Sequence, residues 1–295
     1  MIHPRTLEIT TIATCPVNCA KYCPQDKLGL AYRGHSLLPL ENFKRALSNV
    51  PKDVQIDFSG YGEPFLNPRC KDMILHAYEE GHTVVLYSTL SNITLETWNS
   101  IKHVPFEIIC IHLPDVDGIT KVKITQDYLS VLKDLKGRPN VSFMSMGDIV
   151  REVREVLPDY KYSFVSNERA GNCQDVKPKK KYGKLFCYKL DYTQYVMLPD
   201  CTVTLCCMDY GLRHRMSNLL ETTYDDLYDS EEMRKVLRSA SSFADSYALC
   251  RTCLWADNRL TKAGKEGKKA SRDMVVKMLD HLHLLAYARR IKNAV

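Results

Sequence analysis

The hydrophobic pattern of the first half of the chain alternates between two periods. Apolar, β-branched runs predict strands at residues 7–14, 54–58, 83–88, 106–113, 141–146 and 162–165. Between them, apolar residues at helical spacing predict helices at residues 40–50, 68–80, 95–101, 124–135 and 149–157. This alternation predicts about six β/α units, and hence a parallel sheet joined by right-handed crossovers.

Polar and glycine-rich segments follow several of these strands. Residues 59–64 follow the second strand, residues 89–92 the third and residues 166–172 the sixth. In parallel α/β architectures, open or barrel-like, the active site lies at the C-terminal edge of the sheet. We therefore expect functional residues in these three segments.

The second half of the chain has a different organisation. A lysine-rich stretch at residues 177–181 predicts a linker, and residues 194–206 predict a β-hairpin with its turn at 199–201. Helical patterns follow at residues 222–239 and 271–291, the latter basic and amphipathic. The sequence thus predicts three parts, at residues 1–176, 177–260 and 261–295.

Composition and charge narrow the class of protein. The 295 residues are 45% hydrophobic and 26% charged, as in a soluble globular protein. No apolar run approaches the ~18 residues of a membrane helix, and the start lacks the apolar core of a signal peptide. We expect a cytoplasmic protein without a membrane partner.

The net charge of +6 is concentrated in residues 251–295. This basic segment is compatible with an anionic ligand or with a solvated helix face.

Twelve cysteines are the most informative feature of the composition. In a cytoplasmic chain, clustered cysteines indicate metal ligation or catalysis rather than disulfides. Nine are clustered, as Cys15, Cys19 and Cys23; Cys187, Cys201, Cys206 and Cys207; and Cys250 with Cys253. The first cluster is one thiolate short of a closed zinc site and suits a 4Fe–4S cluster with one open iron. A zinc site with a distant fourth ligand and unrelated buried thiols are the alternatives.

The first cysteine cluster and three later motifs resemble the radical S-adenosylmethionine (SAM) superfamily. The family pattern is Cys-x3-Cys-x2-Cys with an aromatic residue before the last cysteine; here Tyr22 precedes Cys23, and the second gap has one extra residue. Residues 60–64 match the family's glycine-rich turn ending in Gly-Glu-Pro. Residues 88–89 match its polar end of strand three, and residues 166–172 its end of strand six.

The resemblance implies a fold, a cofactor and a set of contacts. The fold is a partial (β/α)6 barrel, and SAM binds the open iron through its amino and carboxylate groups. The residues implied to contact SAM are Tyr22, Gly60, Gly62, Glu63, Ser88, Thr89, Ser166 and Arg169. In this scheme the glycines let SAM approach the backbone closely. Glu63 accepts a hydrogen bond from the ammonium group of SAM, and Arg169 or Ser166 binds its carboxylate. Ser88 or Thr89 contacts the ribose, and Tyr22 lies near adenine.

The later cysteines resemble the auxiliary-cluster domain of the SPASM and Twitch subgroup. Its hairpin motif places glycine where this chain has Cys201, and the resemblance assigns a second 4Fe–4S cluster to four ligands, Cys187, Cys206, Cys250 and Cys253. No cysteine follows Cys253, so the domain, a small hairpin plus a helix, resembles the shorter Twitch form. A four-cysteine structural zinc site is the alternative, since spacing alone does not separate iron from zinc.

Cys201 and Cys207 remain outside both ligand sets. They are either packing residues of the hairpin or candidates for a catalytic role that radical epimerases of this superfamily give to a cysteine. In that role the thiol donates a hydrogen atom to the substrate radical from the face opposite to abstraction. Cys201 and Cys207 are therefore the predicted catalytic residues.

The resemblance also implies the reaction and its partners. A flavodoxin or ferredoxin reduces the first cluster, SAM is cleaved, and the resulting 5′-deoxyadenosyl radical abstracts hydrogen from a C–H bond. The Twitch form resembles enzymes of amino-cyclitols and aminoglycoside sugars, so we expect a small carbohydrate-like substrate and either epimerisation or dehydrogenation. A peptide-modifying maturase is the second hypothesis. A zinc-binding structural or nucleic-acid-binding protein is the third, although no RNA-binding module is evident.

Overall fold

The computed structural model describes residues 5–17, 19, 22–162, 168–173, 179–187 and 194–258. In these ranges the strands are β1 (Thr6–Ile9), β2 (Gln55–Phe58), β3 (Val84–Ser88), β4 (Ile108–His112), β5 (Val141–Met144), β6 (Leu185–Phe186), β7 (Gln194–Met197), β8 (Thr202–Thr204), β9 (Arg215–Asn218) and β10 (Asp257–Asn258). The helices are α1 (Gln25–Ala31), α2 (Leu40–Leu47), α3 (Cys70–Glu79), α4 (Leu95–Ile101), α5 (Gln126–Leu135), α6 (Arg151–Val156) and α7 (Glu231–Ser241).

Five parallel strands form the first part of an eight-stranded sheet, whose order is β5-β4-β3-β2-β1-β7-β8-β9. Helices between successive strands bury their apolar faces; α5 begins after Thr125, whose hydroxyl accepts from Tyr128 N at 3.1 Å, and buries Val131, Leu132 and Leu135. The predicted mixed α/β fold with a mostly parallel sheet is confirmed. Residues 163–165 of the sixth predicted strand and the basic helix at 271–291 lie outside the described residues.

The predicted hairpin forms, but its strands extend the main sheet. β7 pairs with β1 in parallel, with Leu7 opposite Tyr195, and β8 and β9 continue the sheet in antiparallel fashion. In the described part of the chain, a separate small ladder joins β6 to β10. The segment that carries the later cysteines is therefore hydrogen-bonded directly to the strand that leads into the first cysteine cluster.

Two predicted elements differ from the structure. β1 ends at Ile9 rather than near residue 14, because the chain leaves the sheet and forms a bridge between Ile12 and Leu37. The helix predicted at 222–239 begins only at Glu231, where Ser230 caps it by accepting from Met233 N at 3.1 Å. The sequence analysis also missed α1.

No helix among the described residues has the length and apolar character needed to cross a bilayer.

Candidate active site

The first three cysteines lie on the loop that follows β1. All three are free thiols; Cys19 is buried, and Cys23 N donates to Cys19 O at 2.9 Å, which tightens the loop before α1. Burial, with smaller contributions from neighbouring groups that include Cys23, raises the pKa of Cys15 to about 11. The pKa of Cys19 is also raised, first by burial and then by Cys23 and Cys15, so the three thiols interact.

This donor set fits an iron–sulfur cluster in chemistry. Three soft thiolates from one loop are the ligands that a 4Fe–4S cluster takes when one iron is left for another ligand. Within the described ranges, however, the structure contains no group of three or more Cys, His, Asp or Glu side chains that is arranged to hold a metal ion. Thiols with raised pKa values release protons when they ligate, so formation of the site is coupled to deprotonation.

Two residues that the sequence analysis missed hold Cys23 in place. The Tyr210 hydroxyl lies 3.0 Å from Cys23 Sγ, and Gln25 Nε2 donates to the same sulfur at 3.0 Å. Gln25 Nε2 also donates to Tyr61 O at 2.6 Å. Gln25 lies two residues after Cys23, but Tyr210 is distant in sequence and no local pattern indicates its role.

The glycines after β2 allow this turn to approach the first loop closely. Gly60 has a φ of +61°, and a Cβ there would lie 2.3 Å from Thr10 Oγ1. A Cβ on Gly62 would lie 2.2 Å from Ile12 O. A side chain at either position would therefore push the glycine-rich turn away from the segment that leads into Cys15. Contact of these glycines with SAM stays a prediction.

Glu63 joins the ends of β2 and β3. Its buried carboxylate accepts hydrogen bonds from Ser88 Oγ at 2.6 Å, Thr89 Oγ1 at 2.7 Å and Thr89 N at 2.5 Å, and it caps the turn at Phe65 N. Burial raises the pKa of Glu63, and these hydrogen bonds oppose the shift. The structure thus brings three predicted site residues together through contacts with one another. Their roles toward SAM stay predictions.

Arg169 and Tyr22 form a stacked pair beside the cysteine loop. The guanidinium carbon of the buried Arg169 lies 4.1 Å from the centre of the Tyr22 ring, and Arg169 Nε donates to Tyr22 O at 3.1 Å. The His112 ring, missed by the sequence analysis, meets Tyr22 edge-on at 5.9 Å. Burial lowers the pKa of His112 to about 4, so the imidazole is neutral at physiological pH. The predicted Ser166 lies outside the described residues.

The later cysteines also contribute to one another's pKa values. Cys206, Cys250 and Cys253 are buried and Cys187 is half-buried, and all are free thiols. Burial raises the pKa of Cys250 to about 12, with further contributions from Cys187 and Cys253. The pKa of Cys206 is raised by burial and then by Cys207, Cys250 and Cys253. The role of Cys187, Cys206, Cys250 and Cys253 as ligands of a second cluster stays a prediction.

Comparison with known proteins agrees with this arrangement. Residues 187–254 match the family model of the SPASM iron–sulfur cluster-binding domain. The chain as a whole shares its fold with the solved structures described next. The predicted resemblance to the SPASM/Twitch subgroup is confirmed. The predicted cofactors, two 4Fe–4S clusters and SAM, agree with this match and with the AdoMet bound in the similar structures.

The similar structures cover most of the chain at low sequence identity. BtrN, in complex with AdoMet and 2-DOIA, has 14% identity and a TM-score of 0.60, and the match covers 87% of this chain and 94% of BtrN. SuiB of Streptococcus suis, bound to the precursor peptide SuiA, has 14% identity and a TM-score of 0.54, covering 86% of this chain and 70% of SuiB. Native anSMEcpe with bound AdoMet has 14% identity and a TM-score of 0.50. A search of curated proteins gave no match.

The SPASM domain holds the two predicted catalytic cysteines in different surroundings. Cys201 is fully buried at the tip of the β7–β8 hairpin with a φ of +64°, and its Sγ lies 3.7 Å from Asn42 O of α2. This left-handed conformation explains why the family pattern has glycine at this position. Cys207 follows a predicted cluster ligand, and its carbonyl oxygen accepts from Arg169 Nη1 at 3.3 Å. Cys207 therefore lies on the side of the SPASM domain that contacts the cysteine loop.

Arg251 organises the backbone around the SPASM Cys-x-x-Cys motif. Its fully buried guanidinium donates at 2.5–3.2 Å to five main-chain carbonyl oxygens, those of Lys181, Gly183, Ser239, Ser242 and Asp245. The residue between Cys250 and Thr252 is thus an internal brace of the domain.

Replacing Arg251 by methionine is expected to lower the free energy of unfolding by more than about 3 kcal/mol. Each buried carbonyl left without a donor costs about 1–3 kcal/mol, and methionine supplies none. Urea unfolding of the anaerobically purified protein, followed by circular dichroism, measures the change. Arg234→Met, on the exposed face of α7, is the matched control and should change stability by less than about 0.5 kcal/mol. Equal unfolding curves for the two variants would contradict the bracing role.

Proposed function

We propose that this protein is a radical SAM enzyme that abstracts hydrogen from a C–H bond of a small carbohydrate-like substrate, leading to epimerisation or dehydrogenation. The observation that carries the proposal is a series of contacts that links the first cysteine group to the segment that carries the later cysteines. Cys23 of the first group meets Tyr210 of the SPASM domain, and Tyr22 beside it meets Arg169, which in turn contacts Cys207. A structural zinc protein needs no such connection between its two sites.

In this proposal Cys15, Cys19 and Cys23 hold the first 4Fe–4S cluster, and Cys187, Cys206, Cys250 and Cys253 hold the auxiliary one. SAM bound at the open iron supplies, after one-electron reduction, the 5′-deoxyadenosyl radical that abstracts hydrogen. In this scheme the chain's own residues bind and orient SAM. Arg169 offers a guanidinium that matches a carboxylate, Tyr22 offers a ring face, and the Glu63–Ser88–Thr89 group fixes the polar strand ends.

The choice of a small substrate rests on fold similarity to BtrN. The match covers nearly the whole of BtrN, whose structure contains the small ligand 2-DOIA, but a smaller share of SuiB, whose structure contains a peptide. The reducing partner in this scheme is a flavodoxin or ferredoxin, which delivers one electron at a time. A peptide-modifying maturase is the second candidate, supported by the similarity to SuiB.

The proposal is tested by anaerobic turnover in deuterated water with reductant, SAM and a panel of aminoglycosides and amino-cyclitols. We expect 5′-deoxyadenosine together with a changed sugar. One deuterium at the reacting carbon without net oxidation indicates epimerisation, and a product two electrons more oxidised indicates dehydrogenation. A precursor-peptide library in parallel reactions tests the second candidate. Absence of 5′-deoxyadenosine and of iron in the reconstituted protein would overturn the radical SAM assignment.

A further inference from the structure

Cys23 is the one cysteine of the first group whose sulfur has two side-chain hydrogen-bond partners in the described part of the chain. Tyr210 and Gln25 each approach Cys23 Sγ at 3.0 Å. A thiolate sulfur only accepts hydrogen bonds, and a phenol is protonated at neutral pH. When Cys23 acts as a ligand, both neighbours therefore donate to its sulfur.

Tyr210 is held in this position from both sides. Its ring is almost fully buried and meets Tyr61 in a T-shaped contact at 4.7 Å, and the Arg169 guanidinium carbon lies 5.4 Å from its centre. Cys23 Sγ is the hydrogen-bond partner of the Tyr210 hydroxyl in this environment. Water does not compete for a hydroxyl at this depth, so the contact with sulfur is strengthened by the low dielectric of the site.

Tyr210 comes from the SPASM domain rather than from the parallel sheet. It follows Cys207 by three residues, and the turn before it is closed by Asp209 N donating to Cys206 O at 3.0 Å. The Tyr61 hydroxyl donates to the same Cys206 carbonyl at 2.9 Å, which ties this turn to the end of β2. Folding of the auxiliary-cluster domain thus places a hydrogen-bond donor on a ligand of the first cluster.

We propose that Tyr210 is a positioning residue of the SPASM domain that donates a hydrogen bond to the Cys23 thiolate and thereby raises the reduction potential of the first cluster. The inference rests on the part of the proposed function that assigns Cys23 to a cluster. The added electron makes the cluster and its sulfurs more negative, so a donor to sulfur stabilises the reduced state more than the oxidised state. The auxiliary domain in this way eases reduction of a cluster that it does not ligate.

The test is the midpoint potential of the first cluster in Tyr210→Phe, measured by anaerobic redox titration. The electron paramagnetic resonance signal that changes on addition of SAM identifies this cluster. We expect a shift to more negative potential, with about tenfold less reduced cluster at a fixed potential, which is about 59 mV for a one-electron couple. Tyr224→Phe is the matched control: Tyr224 is as buried as Tyr210, but its hydroxyl donates to Thr6 O at 3.1 Å, at the start of β1, and its variant should leave this potential unchanged.

A second variant keeps the test decisive if Tyr210→Phe fails to hold the cluster. Incorporation of 3-fluorotyrosine at position 210 preserves the ring and makes its hydroxyl a stronger donor, so the potential should shift in the positive direction. An unchanged potential in either loaded variant would overturn the inference while leaving the proposed function intact. Wild-type protein that binds no cluster at Cys15, Cys19 and Cys23 would overturn both.

Discussion

Replacement of Cys19 by alanine is expected to abolish formation of 5′-deoxyadenosine from SAM. With two thiolates left on the loop, the first 4Fe–4S cluster loses a ligand at its buried centre, and the open iron has no defined position. Iron content should fall by about half, because the four cysteines that we propose as ligands of the second cluster are unchanged. The same loss is expected for Cys15→Ala and Cys23→Ala. Iron and sulfide analysis and product chromatography after anaerobic reconstitution measure both effects.

The control for this prediction is Cys110→Ala. Cys110 is a half-buried free thiol in the middle of β4 that belongs to neither proposed ligand set. The Cys110→Ala variant should retain full iron content and full SAM cleavage, although this substitution removes a thiol just as Cys19→Ala does. If Cys19→Ala kept both its iron and its activity, the first loop would not be the site of the catalytic cluster.

Much of the fold follows from local sequence pattern. The β/α alternation predicts the parallel sheet because strand and helix periods are local properties of the chain, and the positions of β2, β3 and α4 agree with the structure within a residue or two. The end of β1 was not predictable in this way. Thr10 and Thr11 continue the β-branched pattern, but Thr11 Oγ1 donates to Pro64 O at 3.0 Å, a tertiary contact that takes the chain out of the sheet.

The candidate site likewise contains residues that short sequence motifs indicate and residues that they do not. The cysteines and the Gly-Glu-Pro turn are short motifs that the sequence displays directly. The contact between Cys23 and Tyr210 joins residues 187 positions apart, and it exists because β7 pairs with β1 and brings the SPASM domain against the cysteine loop. His112 likewise depends on the register of β4 beside the loop. Such contacts depend on strand order, which local periodicity does not encode.

The structure separates the two candidate hydrogen-atom donors. The Cys201 thiol packs against the Asn42 carbonyl of α2, at a hairpin turn whose backbone conformation explains its position. The Cys207 main chain contacts Arg169, which stacks on Tyr22 next to the proposed SAM site. Of the two residues, Cys207 has its main chain beside these elements, so we propose Cys207 rather than Cys201 as the hydrogen-atom donor of an epimerisation.

Cys207→Ala is then expected to reduce formation of the inverted product by about 100-fold or more while 5′-deoxyadenosine still forms. The substrate radical is generated as before, but the positioned donor is missing, and a misplaced donor alone costs about 100-fold. Cys201→Ala is the matched control and should retain inversion, because its thiol faces α2. Turnover in deuterated water measures both variants, since inversion through an exchangeable thiol places deuterium at the reacting carbon. Inversion at the wild-type rate in Cys207→Ala, with deuterium still incorporated, would show that another group delivers the hydrogen.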